Sequence, residues 1–349
     1  MSLRGLDLSS IARRLSQLVE QDTDHVDAFF ERLEVVEVPS DAESAGVSVR
    51  REEGFAVRLS RPGRSWIASA DSLRGEEFHA AMRQVARSRP TAAYPPAELE
   101  VEPWPELEVG RELGRFGAAL NRALRRRLVA FPLDVIVRRH RRWIQVVGTQ
   151  LSPEPQSESF YSIEVRTEWG RRGRLETALG EEVVESVADD LLGHFEARRA
   201  APPQAGRSAL VLAPRAAAIL LHEAVAHALE ADTLALGGRI EAALGLRLAS
   251  SELSVLDDPA SAPTGVRRTS DDEGQPVMRR WLLRDGAVEQ PLADMTWARR
   301  SEGLSAGAGR RGLRSDPPVP RSTHLVVPPG QVDDQELCLG GGLWIPWIG

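Results

Sequence analysis

Leu220-Leu221-His222-Glu223-Ala224-Val225-Ala226-His227-Ala228-Leu229-Glu230-Ala231-Asp232 carries the densest chemistry in this 349-residue chain. It follows Pro214, whose missing N–H suits a first helical turn, and the run between is mostly Ala and Leu, which predicts a largely buried helix. Residues 208–213 just before it read as a buried strand. Against that apolar background His222, Glu223 and His227 stand out, because burying a glutamate beside two histidines is costly unless the groups are paired or metal-bound. Two imidazoles and a carboxylate are what a hydrolytic zinc site needs: histidines to hold the metal, a metal-activated water, and Glu223 as general base and then proton donor. The histidines are five apart, not four as in the common H-E-x-x-H motif. In a regular α-helix five residues turn roughly 500°, leaving the side chains about 140° apart and unable to share an ion. A wider π turn brings position i+5 back toward position i. A π-bulge or a break is therefore expected between His222 and His227. The motif by itself is also compatible with two core histidines, each satisfied by backbone or water.

Working outward, the N-terminal half reads as alternating strands and helices. A helix is expected over 9–20, capped by Ser9 or Ser10, then strands at 26–38, 46–50, 55–60 and 65–70, punctuated by Gly54 and Pro62-Gly63. A helix at about 75–88 follows. Residues 93–110, with Pro95, Pro96, Pro103 and Pro105 among acids, read as a stiff linker. A second block repeats the pattern: a helix near 111–127, strands near 132–139, 142–147 and 159–168, and a helix near 181–198. The expected organisation is an α+β unit at 1–92, the linker, a central α+β unit at 111–200, and a C-terminal domain at 207–349. The fold class is α+β, with layers of mixed or antiparallel strands under covering helices, followed by a β-rich domain that carries the metal-site helix.

Composition limits the function. Lysine is absent, so all 44 basic residues are arginine, which codon usage explains more simply than selection for anion contacts. The net charge of −7 argues against nucleic acid as a partner. The clusters Arg125–Arg127 and Arg138–Arg142 read as a solvated helix end and a hairpin turn. No run approaches the roughly 18 apolar residues of a membrane span, and the N-terminal residues lack a secretory pattern. With one cysteine, Cys338, a cytoplasmic location is expected.

The segment 220–232 resembles the TldD/PmbA motif L-L-H-E-A-V-G-H-x-L-E-G-D. Asp271-Asp272-Glu273-Gly274 resembles that family's D-D-E-G, and Gly307-Ala308-Gly309-Arg310-Arg311 with Pro318-Val319-Pro320-Arg321 resembles its G-N-G-R-R and P-M-P-R. Val327-Pro328-Pro329-Gly330 through Gly342-Leu343-Trp344 resembles a later P-G to G-L-Y-V stretch. The resemblance implies a metalloprotease that cleaves small or unfolded polypeptides with a divalent metal such as zinc on His222 and His227 and Glu223 as the catalytic residue. It also implies a homo- or heterodimer with a related subunit. Ala226 and Ala231 replace family glycines, and Ala226 would crowd the proposed bulge. The family's third ligand is a cysteine in a section beyond the equivalent of Gly349. Cys338 does not stand in for it, and Glu230 and Asp232 are the other donors nearby. A non-catalytic, partner-dependent subunit acting as a binding or scaffold protein is the alternative, and Trp344 and Trp347 would lie exposed without a covering surface.

Overall fold

The computed structural model describes residues 6–22, 24–39, 46–61, 64–86, 99, 104, 110–127, 133–149, 153–168, 170–199, 205–238, 240–339 and 342–345. Most of the expected linker at 93–110 lies outside them, as does Trp347.

Helix α1 (Leu8–Ser16) leads into three strands, β1 (His25–Pro39), β2 (Ser48–Arg61) and β3 (Arg64–Ala70), and then α2 (Gly75–Ala86). Next come α3 (Gly110–Arg127), β4 (Leu133–Gly148), β5 (Gln156–Thr167), β6 (Gly170–Glu176) and α4 (Glu181–Arg199). The two α+β units expected at 1–92 and 111–200 share a single six-stranded antiparallel sheet, ordered β3-β2-β1-β4-β5-β6. The longest pairing joins the two blocks, with β1 against β4 from Asp27–Gly148 to Pro39–Ile136. Sequence spacing could not show this, because each block closes its own strand–helix pattern and the joining ladder is non-local.

Two expected strand breaks are absent. Gly54 lies inside β2, where a Cβ would come 2.2 Å from the Ala70 carbonyl oxygen and 2.7 Å from the Arg314 side chain. It is there for close approach, not for a turn. Arg138–Arg142 lies mid-strand in β4 instead of forming a hairpin turn. Arg138 pairs with Glu37 and Glu164, Arg139 with Glu34, and Arg142 with Glu31. The cap of α1 also differs: Asp7, not Ser9 or Ser10, accepts the Ser10 N–H at 2.9 Å.

Strand alternation divides the sheet into two faces. Ala28, Phe30, Phe55, Val57 and Leu59 pack with Ile11, Leu15, Phe78 and Met82 of α1 and α2. Val36, Val38, Val135, Val137, Ile163 and Val165 of the same sheet pack with Leu113, Leu120, Val184 and Val187 of α3 and α4. The intervening residues, among them Asp27, Phe29, Arg58, Ile144 and Val146, point the other way and are buried as well. Something must cover them, and it is the C-terminal domain.

That domain contains β7 (Leu210–Leu212), α5 (Pro214–Leu221), a π turn at His222–Ala226 and a 3-10 turn at His227–Leu229. It continues with α6 (Ala231–Leu236), α7 (Ile240–Ala243), β8 (Val255–Asp257), β9 (Arg280–Arg284), β10 (Ala287–Val288) and α8 (Met295–Arg300). Short elements finish it: β11 (Gly309–Arg310), β12 (Val319–Pro320), β13 (Leu325–Val326), α9 (Asp334–Leu339) and β14 (Leu343–Ile345). Its strands form a sheet ordered β10-β9-β8-β13 and the pairs β11-β12 and β14-β7. The architecture is α+β, as the strand and helix pattern implied.

A buried ionic junction fastens this domain to the sheet. Arg58 reaches Asp27 at 2.7 Å and Glu273 at 2.7 Å, and Arg311 reaches Asp27 at 3.1 Å. Arg268 links Glu158 to Asp272. Backbone donors complete the set: Gly309 N–H to Asp271 at 2.9 Å, Arg311 N–H to Asp272 at 2.8 Å and Met295 N–H to Glu273 at 2.6 Å. A Cβ at Gly309 would come 2.7 Å from the Glu273 carboxylate. The D-D-E-G and G-x-G-R-R stretches are thus two halves of one interlocked turn. Among the described residues, no helix is long and apolar enough to cross a membrane.

Candidate metal centre

The chain is helical through His222, and the ladder then widens. The His227 N–H donates to the His222 carbonyl, a bond five residues back, and His222–Ala226 forms a π turn. Both flanks keep right-handed helical dihedrals. The extra residue returns His227 to the face of His222. The ring centroids are 4.5 Å apart with planes at 70°, and one donor atom each from His222, Glu223 and His227 lies within 4.8 Å of the others. The structure therefore brings together all three residues singled out from the sequence.

The setting differs from the expectation. The helix is not largely buried: Ala216 is the buried residue of α5, while Ile219 and Leu220 are 36% and 44% exposed. Strand β7 is not buried either, with Leu210 at 59% exposed. It pairs with β14, whose Trp344 is 52% exposed. Glu223 is exposed and the two histidines are half-buried, so the site stands at the surface and the cost of burying Glu223 does not arise. An Ala/Leu composition sets helicity, but what covers a helix depends on partners that its own pattern does not encode. The inward residues Val225, Ala226 and Leu229 join a core with Val255, Leu282, Leu283 and Leu292. Ala226 is fully buried there, so its methyl group fills core space on the inner side of the turn.

Glu230, a possible third donor on sequence, is used differently. It is 2% exposed and its Oε1 lies 2.8 Å from His227 Nδ1. Its Oε2 accepts from Arg321 at 2.6 Å. Burial pushes the Glu230 carboxyl up, opposed by the His227 hydrogen bond and the Arg321 guanidinium. Asp232 lies 3.8 Å from Arg321. Cys338 falls within α9. Arg321 was not singled out as a site residue by spacing, although it ends the Pro318–Arg321 stretch that carried part of the resemblance.

Residues 205–342 match the PmbA/TldA metallopeptidase C-terminal domain. That match, which spans the helix, the interlocked turn and Arg321, defines a metallopeptidase-type domain. The C-terminal part of the chain is thus similar to the TldD/PmbA family. It is 31% identical over 140 residues to a metalloprotease of Methanothermobacter thermautotrophicus, covering 40% of this chain and 30% of that protein. It is 32% identical over 152 residues to a metalloprotease TldD homolog of Haemophilus influenzae, covering 42% and 31%. These matches thus span less than a third of either relative. The fold extends further: TldE from Thermococcus kodakarensis superposes with a TM-score of 0.72 at 18% identity, covering 95% of this chain and 79% of that one. A Thermotoga maritima protein described as a modulator of a DNA gyrase gives 0.72 at 15% identity, covering 98% and 82%.

Proposed function

We propose that this chain is a metal-dependent peptidase of the TldD/PmbA type, hydrolysing small or unfolded polypeptides, with zinc held by His222 and His227. The observation that carries the reading is the π turn, which puts both imidazoles and the Glu223 carboxylate within one ion's reach on an exposed surface. Borderline-soft nitrogen donors with a carboxylate suit zinc. When bound, the metal supplies a Lewis acid and a water acidified toward neutrality. Glu223, exposed and on the same turn, takes the proton of the attacking water and returns it to the leaving amine. Ala224 and Ala228, small and exposed on the turns that bear these residues, leave room for a peptide backbone. An extended substrate pairs along a nearby strand edge, a mode that tolerates varied side chains. The proposal includes a cytoplasmic setting and a homo- or heterodimer with a related subunit, on the strength of the sequence resemblance.

Elemental analysis of the purified chain beside its His222→Ala variant tests the site. One equivalent of zinc, lost in the variant, is the expected result; metal retained without His222 removes the ligand assignment. Glu223→Gln is expected to keep the metal and lower turnover by about 10²–10⁴-fold. Unchanged turnover takes Glu223 out of the mechanism. A second reading, a non-catalytic subunit, is favoured by one observation: Glu230 is committed to His227 and Arg321, which leaves two imidazoles as ligands if Glu223 is the base. A folded wild type without metal would select that reading.

A further inference from the structure

We infer that Glu230 is a positioning residue that fixes the tautomer of His227, with its proton on Nδ1 and Nε2 turned to the metal, and that Arg321 holds Glu230 in place for that task. The inference rests on the metal-site reading above and adds to it a pair of residues that bind no metal themselves. An ionised carboxylate only accepts hydrogen bonds. With Glu230 Oε1 2.8 Å from His227 Nδ1, the ring proton sits on Nδ1 and the lone pair is left on Nε2. The second oxygen is occupied by Arg321 at 2.6 Å, so the carboxylate cannot swivel off the ring without giving up an ion pair.

The backbone adds to the restraint. Glu230 is extended (φ −75°, ψ 132°) between the 3-10 turn and α6. Its neighbours are tied on both sides to one residue: Leu292 N–H donates to Leu229 O, and Ala231 N–H donates to Leu292 O, each at 2.9 Å. Arg321 is tied in turn, since its N–H donates to Ala308 O at 2.9 Å and Ala308 N–H to Ala293 O at 3.1 Å. Carboxylate and guanidinium are thus both referenced to the 292–293 segment, and the imidazole meets them through Glu230. Such partners orient a ligand ring and raise its basicity.

The test reads the ring and the metal separately. Long-range proton–nitrogen NMR on ¹⁵N-histidine-labelled, metal-free chain at pH 8 reports the His227 tautomer. Competition titration with zinc alone reports affinity. Wild type, Glu230→Gln, Glu230→Asp and His222→Ala are compared, with thermal unfolding to verify that each is folded. The expected wild-type ring carries its proton on Nδ1. Glu230→Gln is expected to lose that preference and bind zinc about 10–100-fold more weakly, and Glu230→Asp, which keeps the charge, to recover part of both. A wild-type proton on Nε2, or a folded Glu230→Gln that keeps wild-type tautomer and affinity, overturns the inference. If wild type binds no zinc, the metal-site reading fails, and the tautomer shift in Glu230→Gln still decides whether Glu230 sets the ring.

Discussion

The junction around Asp271, Asp272 and Glu273 and the site around His222, Glu223 and His227 are both clusters of ionisable side chains, built on opposite plans. In the junction Asp27, Asp271, Asp272 and Glu273 are at most 1% exposed, and each meets a guanidinium or backbone N–H. In the site the three donors face outward, the carboxylate exposed and the rings half-buried. Dry, paired charge fixes how two layers sit together, because any loss leaves an uncompensated partner. Open donors, with only one nitrogen of His227 tied back to Glu230, stabilise the fold little and keep atoms free to bind. The two lie in one domain, and Glu230 with Arg321 joins the second to the framework of the first.

Substitutions sharpen or break this contrast. The largest loss is expected from Arg58→Met, which strands the buried Asp27 and Glu273 carboxylates; about 3–5 kcal/mol should disappear in urea unfolding. A loss within 0.5 kcal/mol would mean the junction is not holding the layers. Gly54→Ala, whose methyl group meets the Ala70 carbonyl and Arg314, should cost about 1–3 kcal/mol through displaced backbone.

Asp294→Asn tests the junction through pH. Burial and the neighbouring Glu273 push the Asp294 carboxyl up to about 7, so the fold favours its protonated form. That contribution is fully present below pH 4 and is lost as pH rises through 7. Asparagine keeps an acceptor for the Trp297 N–H, which Asp294 caps at 2.8 Å, but cannot ionise. The variant should gain roughly 1 kcal/mol on wild type at pH 8 and less at pH 5, read from melting curves across pH. An equal difference at both would remove Asp294 ionisation from the pH response. Asp27 has the opposite sign. Against the burial that would raise it, Arg58, His25 and Arg311 hold its carboxyl well below the ordinary range; its contribution is present above pH 4 and fades in stronger acid. The smallest effect belongs to His222→Ala, expected to shift stability by less than about 0.5 kcal/mol while abolishing metal binding. A large loss of stability there would put the site and the junction on the same plan.

Much of this was legible in sequence where the cause is local. The five-residue spacing of His222 and His227 called for a π-bulge or a break, and the chain makes a π turn. Helices at 75–88, 111–127 and 181–198 were legible from periodicity. What escaped was non-local. Arg138–Arg142 looked like a solvated turn because its acidic partners Glu31, Glu34 and Glu37 lie about a hundred residues away. Gly54 looked like a breaker because the Ala70 carbonyl and Arg314 that require it are remote in sequence. The exposure of α5 could not be read because it depends on what packs against it. Glu230 was visible as a donor, but its commitment to His227 and Arg321 exists only once residue 321 folds back on residue 230.

The π turn also relates the site to an ordinary helix by a shift of register. A ring closed five residues back holds one residue more than a ring closed four back, so the helix here is an ordinary one with a single surplus residue between His222 and His227. Ala224 is exposed and makes no core contact of its own. Removing it would leave the two histidines four apart in an unbroken α-helix, with Val225, Ala226 and Leu229 still facing the core. The five-residue and four-residue zinc motifs are then one helix face written in two registers.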